Sequence, residues 1–299
     1  MRFEVWVPML SNCAHVLGAL GPYRALIPPS VKLELPDSPS FVSLQRHSED
    51  FAAFRGGRDL FAALTTLSAC GYEGPLLAEI VNERLAVDEQ LQGRTLDRLA
   101  GPWLSLWSDA IQVYQAVWPV VRGRLDRSAS RLRSRLRHGA TKTEELVRAA
   151  IRPRSGGLAE LVIVALVEPA IGMHRAADRV VILEALPYLW PYCLTHEVVH
   201  AVLPQYRLDS PVHQLAGELL TDLAAETLGR SLAEPGYRGF KPLDGFAERW
   251  DGWKLSYGSG LLTTAGTARA RAVEVWDAYA SSGEAFEDAI DRLAAALLG

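Results

Sequence analysis

The sequence predicts an α+β fold that is mainly helical, with a small sheet and a helical C-terminal bundle. Two short runs rich in Val and Ile, residues 158–167 and 179–186, read as strands. Long stretches elsewhere repeat apolar residues at helical spacing, and the composition is that of an ordinary globular chain. With 49% hydrophobic and 22% charged side chains and a net charge of −4 over 299 residues, disorder, collagen and coiled-coil arrays are excluded. A charge balance this mild gives no reason to prefer a membrane or a nucleic acid as partner.

In chain order, the first forty residues mix alternating stretches (Phe3, Val5, Val7; Val31, Leu33, Leu35) with proline-rich turns, so short strands and loops are expected there. Residues 48–152 are expected to be mostly helical, with Trp103, Leu106, Ile111, Tyr114, Val117 and Val121 on one stripe. Within them lie Arg122, Arg124, Arg127, Arg131, Arg133, Arg135 and Arg137, of which Arg127, Arg131 and Arg135 share a helical face. Without interleaved aromatics, that run reads as a solvated face followed by a linker rather than a nucleic-acid patch. The Arg152-Pro153-Arg154-Ser155-Gly156-Gly157 stretch stops any helix and marks a division into residues 1–157, a mixed strand and helix region with no assigned role, and residues 158–299. The second strand leads through Pro187 into a helix starting near Trp190. Residues 268–280 and 283–298 are expected to close the bundle.

Cys13, Cys70 and Cys193 are odd in number and lack CxxC spacing, which argues against a disulfide framework and a cysteine-bound metal. Glu4 interrupts the N-terminal apolar run, and no stretch approaches the roughly 20 apolar residues of a spanning helix. A cytoplasmic protein without a membrane partner is expected.

The chemistry is concentrated in His196-Glu197-Val198-Val199-His200. Residues four apart on a helix lie on one face, so two imidazoles can converge on one tetrahedral Zn²⁺ with Glu197 flanking a water. In a chain of this size the pattern arises by chance on the order of once in a hundred sequences. A third ligand is therefore the deciding question. Downstream, Ser210 and Pro211 form a helix-start signal, and that helix carries Glu218 and Asp222. Glu218 can complete the metal site, and Asp222, one turn on, can fix the tautomer of a ligating histidine. Glu218, Asp222 and Glu226 could instead be a solvated stripe, but successive like charges at i,i+4 destabilise a helix unless something neutralises them. His213 is the rival ligand, close to the helix start and out of phase with Asp222.

Together HEVVHAV at 196–202 and GELLTDLAAE at 217–226 resemble the gluzincins, the thermolysin-like and aminopeptidase N-like zinc peptidases. The resemblance covers about 120 residues and implies a zincin-like domain with Zn²⁺ as cofactor, held by His196, His200 and Glu218. It implies Glu197 as general base in hydrolysis of a peptide or protein substrate. It also implies an edge strand before the HExxH helix, a place occupied by residues 179–186. Tyr257-Gly258-Ser259-Gly260 is similar to the family's YxxG segment and implies Tyr257 as an oxyanion donor, with Tyr237 and Tyr206 weaker candidates. No Gly-x-Met-Glu-Asn segment is present, so exopeptidase specificity does not carry over. The alternative expectation is a non-catalytic binding protein on a degenerate zincin scaffold, with a structural metal.

Overall fold

The computed structural model describes residues 2–20, 96–154, 158–168, 175–177, 179–185, 190–202, 210–232 and 261–298, together with Pro39, Val42, Trp250, Asp251 and Lys254. Its elements in order are β1 (Arg2–Trp6), α1 (Met9–Leu20), α2 (Leu96–Ala150), β2 (Leu161–Val167), β3 (Arg175–Ala177), β4 (Val180–Glu184), α3 (Trp190–Val202), α4 (Pro211–Leu232), α5 (Ala265–Ser281) and α6 (Phe286–Leu298). The chain is α+β and mostly helical, as its sequence predicts. Among the described residues no helix is long and apolar enough to cross a membrane.

Two compact units form, each from non-consecutive stretches. A helical unit comprises Met1–Phe3, Leu136–Val162 and Tyr188–Gly299, and a sheet unit comprises Glu4–Arg135 and Ile163–Pro187.

The sheet unit is built on four strands in the order β1-β2-β4-β3. β2 and β4 pair in parallel from Ile163 opposite Val180 to Val167 opposite Glu184, and β3 pairs antiparallel with β4. All of β4 and most of β2 are buried, which is why both read as continuous apolar runs instead of alternating ones. Ala165, Val167, Val180 and Ile182 form the core of this layer. The strand expected over 179–186 starts one residue later because Arg179 sits in the turn after β3 with φ 72°. It is also not the sheet edge: β3 covers it, so the edge assignment is corrected to Arg175–Ala177.

A second correction concerns residues 9–20, where strands and loops were expected and α1 is found. Every residue from Ser11 to Leu20 is buried, so the helix shows no polar face to betray its period. Asn12 and His15 are used internally. The Asn12 amide donates to the Leu166 carbonyl (3.0 Å) and the Pro8 carbonyl (2.8 Å) and accepts from the Glu168 N–H (3.0 Å), supplying β2 with the pairing of a strand. His15 Nε2 lies 3.4 Å from Glu184 Oε1, both groups being almost fully buried. In α2, Trp107, Ala110, Tyr114, Val117, Val121, Leu125, Ala129 and Leu132 are buried, a 3–4 spacing that docks one stripe and leaves the arginine face outward. The helix continues to Ala150, so no linker follows the arginine run.

In the helical unit α4 packs against α3, α5 and α6, and α5 against α6. On α6, Phe286, Ala289, Ile290, Leu293, Ala294 and Leu297 bury one helical stripe. Residues 152–154 are docked onto this hairpin: the Arg152 guanidinium donates to the Tyr279 carbonyl (2.6 Å), the Phe286 N–H to the Arg152 carbonyl (2.7 Å) and the Arg154 N–H to Glu287 (2.8 Å). The Tyr279 hydroxyl, which donates to the Ala150 carbonyl at 2.8 Å, ties the end of α2 to α5.

Candidate metal centre

Two helices of the helical unit build the site. α3 carries the HExxH residues, with Thr195 to Val199 buried. α4 begins where the sequence places it: Ser210 caps the helix by accepting the His213 N–H at 3.3 Å, and Pro211 takes the first position, where no N–H is needed. α4 is apolar on most of its surface, so packing among three helices holds Glu218 and Asp222 toward α3 rather than toward solvent.

Three donor atoms meet. His196 Nε2 lies 3.3 Å from Glu218 Oε2 and 3.3 Å from His200 Nε2, and His200 Nε2 lies 3.6 Å from Glu218 Oε2. A tetrahedral ion binding nitrogen and carboxylate oxygen at about 2.0–2.2 Å holds its donors roughly 3.3–3.6 Å apart. The triangle of side chains has the size such an ion requires. Behind it, Asp222 Oδ1 lies 3.7 Å from Nδ1 of His196, the nitrogen facing away from the cluster. That is the side from which a carboxylate orients a ligating imidazole.

Electrostatics keep the two ends of the triangle oppositely charged. Burial alone would lower the His200 pKa, but the Glu218 and Glu197 carboxylates outweigh it and push the imidazole up to about 9. Burial alone would raise Glu218, but His200 and His196 hold its carboxyl well below the usual range. The donor set thus concentrates one formal negative charge and two imidazoles in a largely buried volume, a combination suited to a divalent cation of borderline softness. Glu197 is 8% exposed and sits close enough for its charge to act on His200.

The structure brings together His196, His200 and Glu218, sets Asp222 behind His196 and keeps Glu197 alongside. Among the described residues these three are the group of His, Cys, Asp and Glu side chains able to hold an ion. His213 is elsewhere: its Nδ1 is 2.7 Å from Ser210 Oγ and its Nε2 3.6 Å from Asp291, so both ring nitrogens are engaged at the start of α4. Tyr257, Tyr237 and Tyr206 lie outside the described residues. No side chain that the sequence had not singled out enters the cluster among the described residues. No protein family, curated protein or solved structure matches the chain.

Proposed function

We propose that the protein is a zinc-dependent peptidase of zincin-like architecture. The observation that carries this reading is the convergence of His196 Nε2, His200 Nε2 and Glu218 Oε2 at 3.3–3.6 Å with Glu197 beside them. Two histidines and one carboxylate are a donor set that catalytic zinc sites use.

His196, His200 and Glu218 would hold the ion, and Asp222 would keep the His196 ring turned with Nε2 inward. When bound, zinc supplies Lewis-acid chemistry, polarising a carbonyl oxygen and making water acidic near neutral pH. Glu197 then takes the proton of the attacking water on its carboxylate and delivers it to the departing amine. The near-burial of Glu197 favours this proton traffic, because a carboxylate shielded from solvent exchanges its proton with the reacting groups first. Tyr257 is the residue the gluzincin resemblance nominates as donor to the oxyanion. A peptide or protein would be the substrate.

The test couples metal content with turnover of a mixed peptide library. The wild-type chain should retain about one zinc per molecule after dialysis and cleave the library. Glu197→Gln should keep the zinc while cutting turnover by about 10²–10⁴-fold. Retained zinc with no cleavage by the wild type, or full activity in Glu197→Gln, would refute the catalytic reading.

A further inference from the structure

We propose that the exposed side of α2 centred on Val120 is where two copies of this chain pair, helix against helix and antiparallel. Ala116, Pro119, Val120 and Gly123 stand at i, i+3, i+4 and i+7 and share one side of the helix. That side turns away from the stripe of Tyr114, Val117, Val121 and Leu125 that α2 buries in the sheet unit. Ala116, Pro119 and Val120 are exposed, Val120 by 61%. A glycine inside a helix weakens it relative to alanine, and nothing within the chain requires one at 123, where an added Cβ meets nothing within 4 Å. The missing side chain lowers the middle of the face and lets the backbone of a second helix come close.

The charge pattern selects the occupant. On the same side, Asp109 precedes the apolar centre and Arg127 and Arg131 follow it, and all three are exposed without a hydrogen bond or ion pair among the described residues. A face that is acidic at one end, apolar in the middle and basic at the other is complementary to itself once turned end for end. With a two-fold axis between residues 119 and 120, Asp109 comes level with Ser130 of the second copy, between Arg127 and Arg131, and the same pairing repeats at the opposite end. A parallel arrangement would set Asp109 against Asp109 and arginine against arginine. Exposed ion pairs contribute little, so the apolar centre supplies the affinity and the charges choose the direction. Interfaces below about 1,200 Å² are weak and transient, so a contact of one helix from each copy is expected to give a reversible dimer. Of the arginine run only Arg127 and Arg131 take part, at a rim open to water, and the run otherwise stays a solvated surface. This inference is independent of the peptidase reading.

The test is sedimentation equilibrium of the full chain from about 1 to about 500 μM. The wild type should pass from monomer to dimer across that range without larger species. Val120→Arg should weaken dimerisation at least about tenfold. Gly123→Leu should weaken it as well while raising the melting temperature, because leucine is the better helix former, whereas a folding defect would lower the melting temperature. Asp109→Arg should weaken dimerisation about threefold or more, and adding Arg127→Asp and Arg131→Asp to the same chain should restore it, a rescue that only the antiparallel pairing provides. A monomer at every concentration, which would leave the face to a different partner, unchanged dimerisation in Val120→Arg, or no rescue by the reversed charges would overturn the proposal.

Discussion

In the sheet unit, Asn12 gives its whole amide to backbone groups of Pro8, Leu166 and Glu168, and His15 and Glu184 face each other nearby in the core. In the helical unit, His196, His200 and Glu218 turn their donor atoms toward one another, with carboxylates rather than backbone around them. The side chains of the first cluster are buried, while the second keeps some exposure at His200 and Glu218. The first fills strand hydrogen bonds that would otherwise go unmade, which is a contribution to folding. The second gathers lone pairs around a common point, which costs folding energy unless a cation joins. Where a buried polar group spends its hydrogen bonds on backbone atoms, as Asn12 does, the role is architectural; where three ligand-type side chains converge on one point, a ligand is implied.

That contrast can be broken by mutation. Glu218→Ala should lower zinc affinity by at least about a hundredfold, since even the outer partners of metal ligands are worth 10–100-fold, while the metal-free fold stays intact. A competition titration with a chelating dye measures this, and unchanged affinity would remove Glu218 from the ligand set. Asn12→Leu should do the reverse, destabilising the protein by about 3 kcal/mol in denaturant unfolding by stranding the Leu166 carbonyl and the Glu168 N–H, with zinc affinity unaltered.

A smaller effect comes from pH. In the metal-free protein His200 holds its proton up to about pH 9, because its raised pKa means the folded site binds that proton more tightly than an unfolded chain does. Zinc must expel the proton at any lower pH. Affinity should therefore fall about tenfold per unit as pH drops from 8 to 6, with a proton released on binding that is detectable by buffer-dependent calorimetry. A flat profile would mean that zinc displaces no proton from His200. The smallest expected effect is Arg179→Gly, which should stabilise the sheet unit by about 0.5–1 kcal/mol by relieving a side chain at φ 72° without touching the metal site.

Much of this was legible beforehand, for reasons that differ by element. β2 and β4 announce themselves as strands through short apolar runs rich in Val and Ile. Ser210 and Pro211 mark the start of α4, and the i,i+4 arithmetic of His196, His200, Glu218 and Asp222 sets out a site that two packed helices assemble. α1 was illegible because a helix buried on every side carries no amphipathic period, and Asn12 and His15 look like loop residues until their partners on β2 and β4 are seen. β3 is three residues long, too short for any pattern, and without it the interior place of β4 cannot be inferred. A linker was expected after the arginine run, where α2 instead continues to Ala150; Gly139 and Thr141 in that stretch are weak helix formers.

The most direct test of the central claim is anomalous diffraction at the zinc edge from crystals of the zinc-loaded protein. The account predicts a single strong peak at about 2.0–2.2 Å from His196 Nε2, His200 Nε2 and the Glu218 carboxylate. A peak elsewhere, or a Glu218 carboxylate turned away from the bound ion, would contradict it.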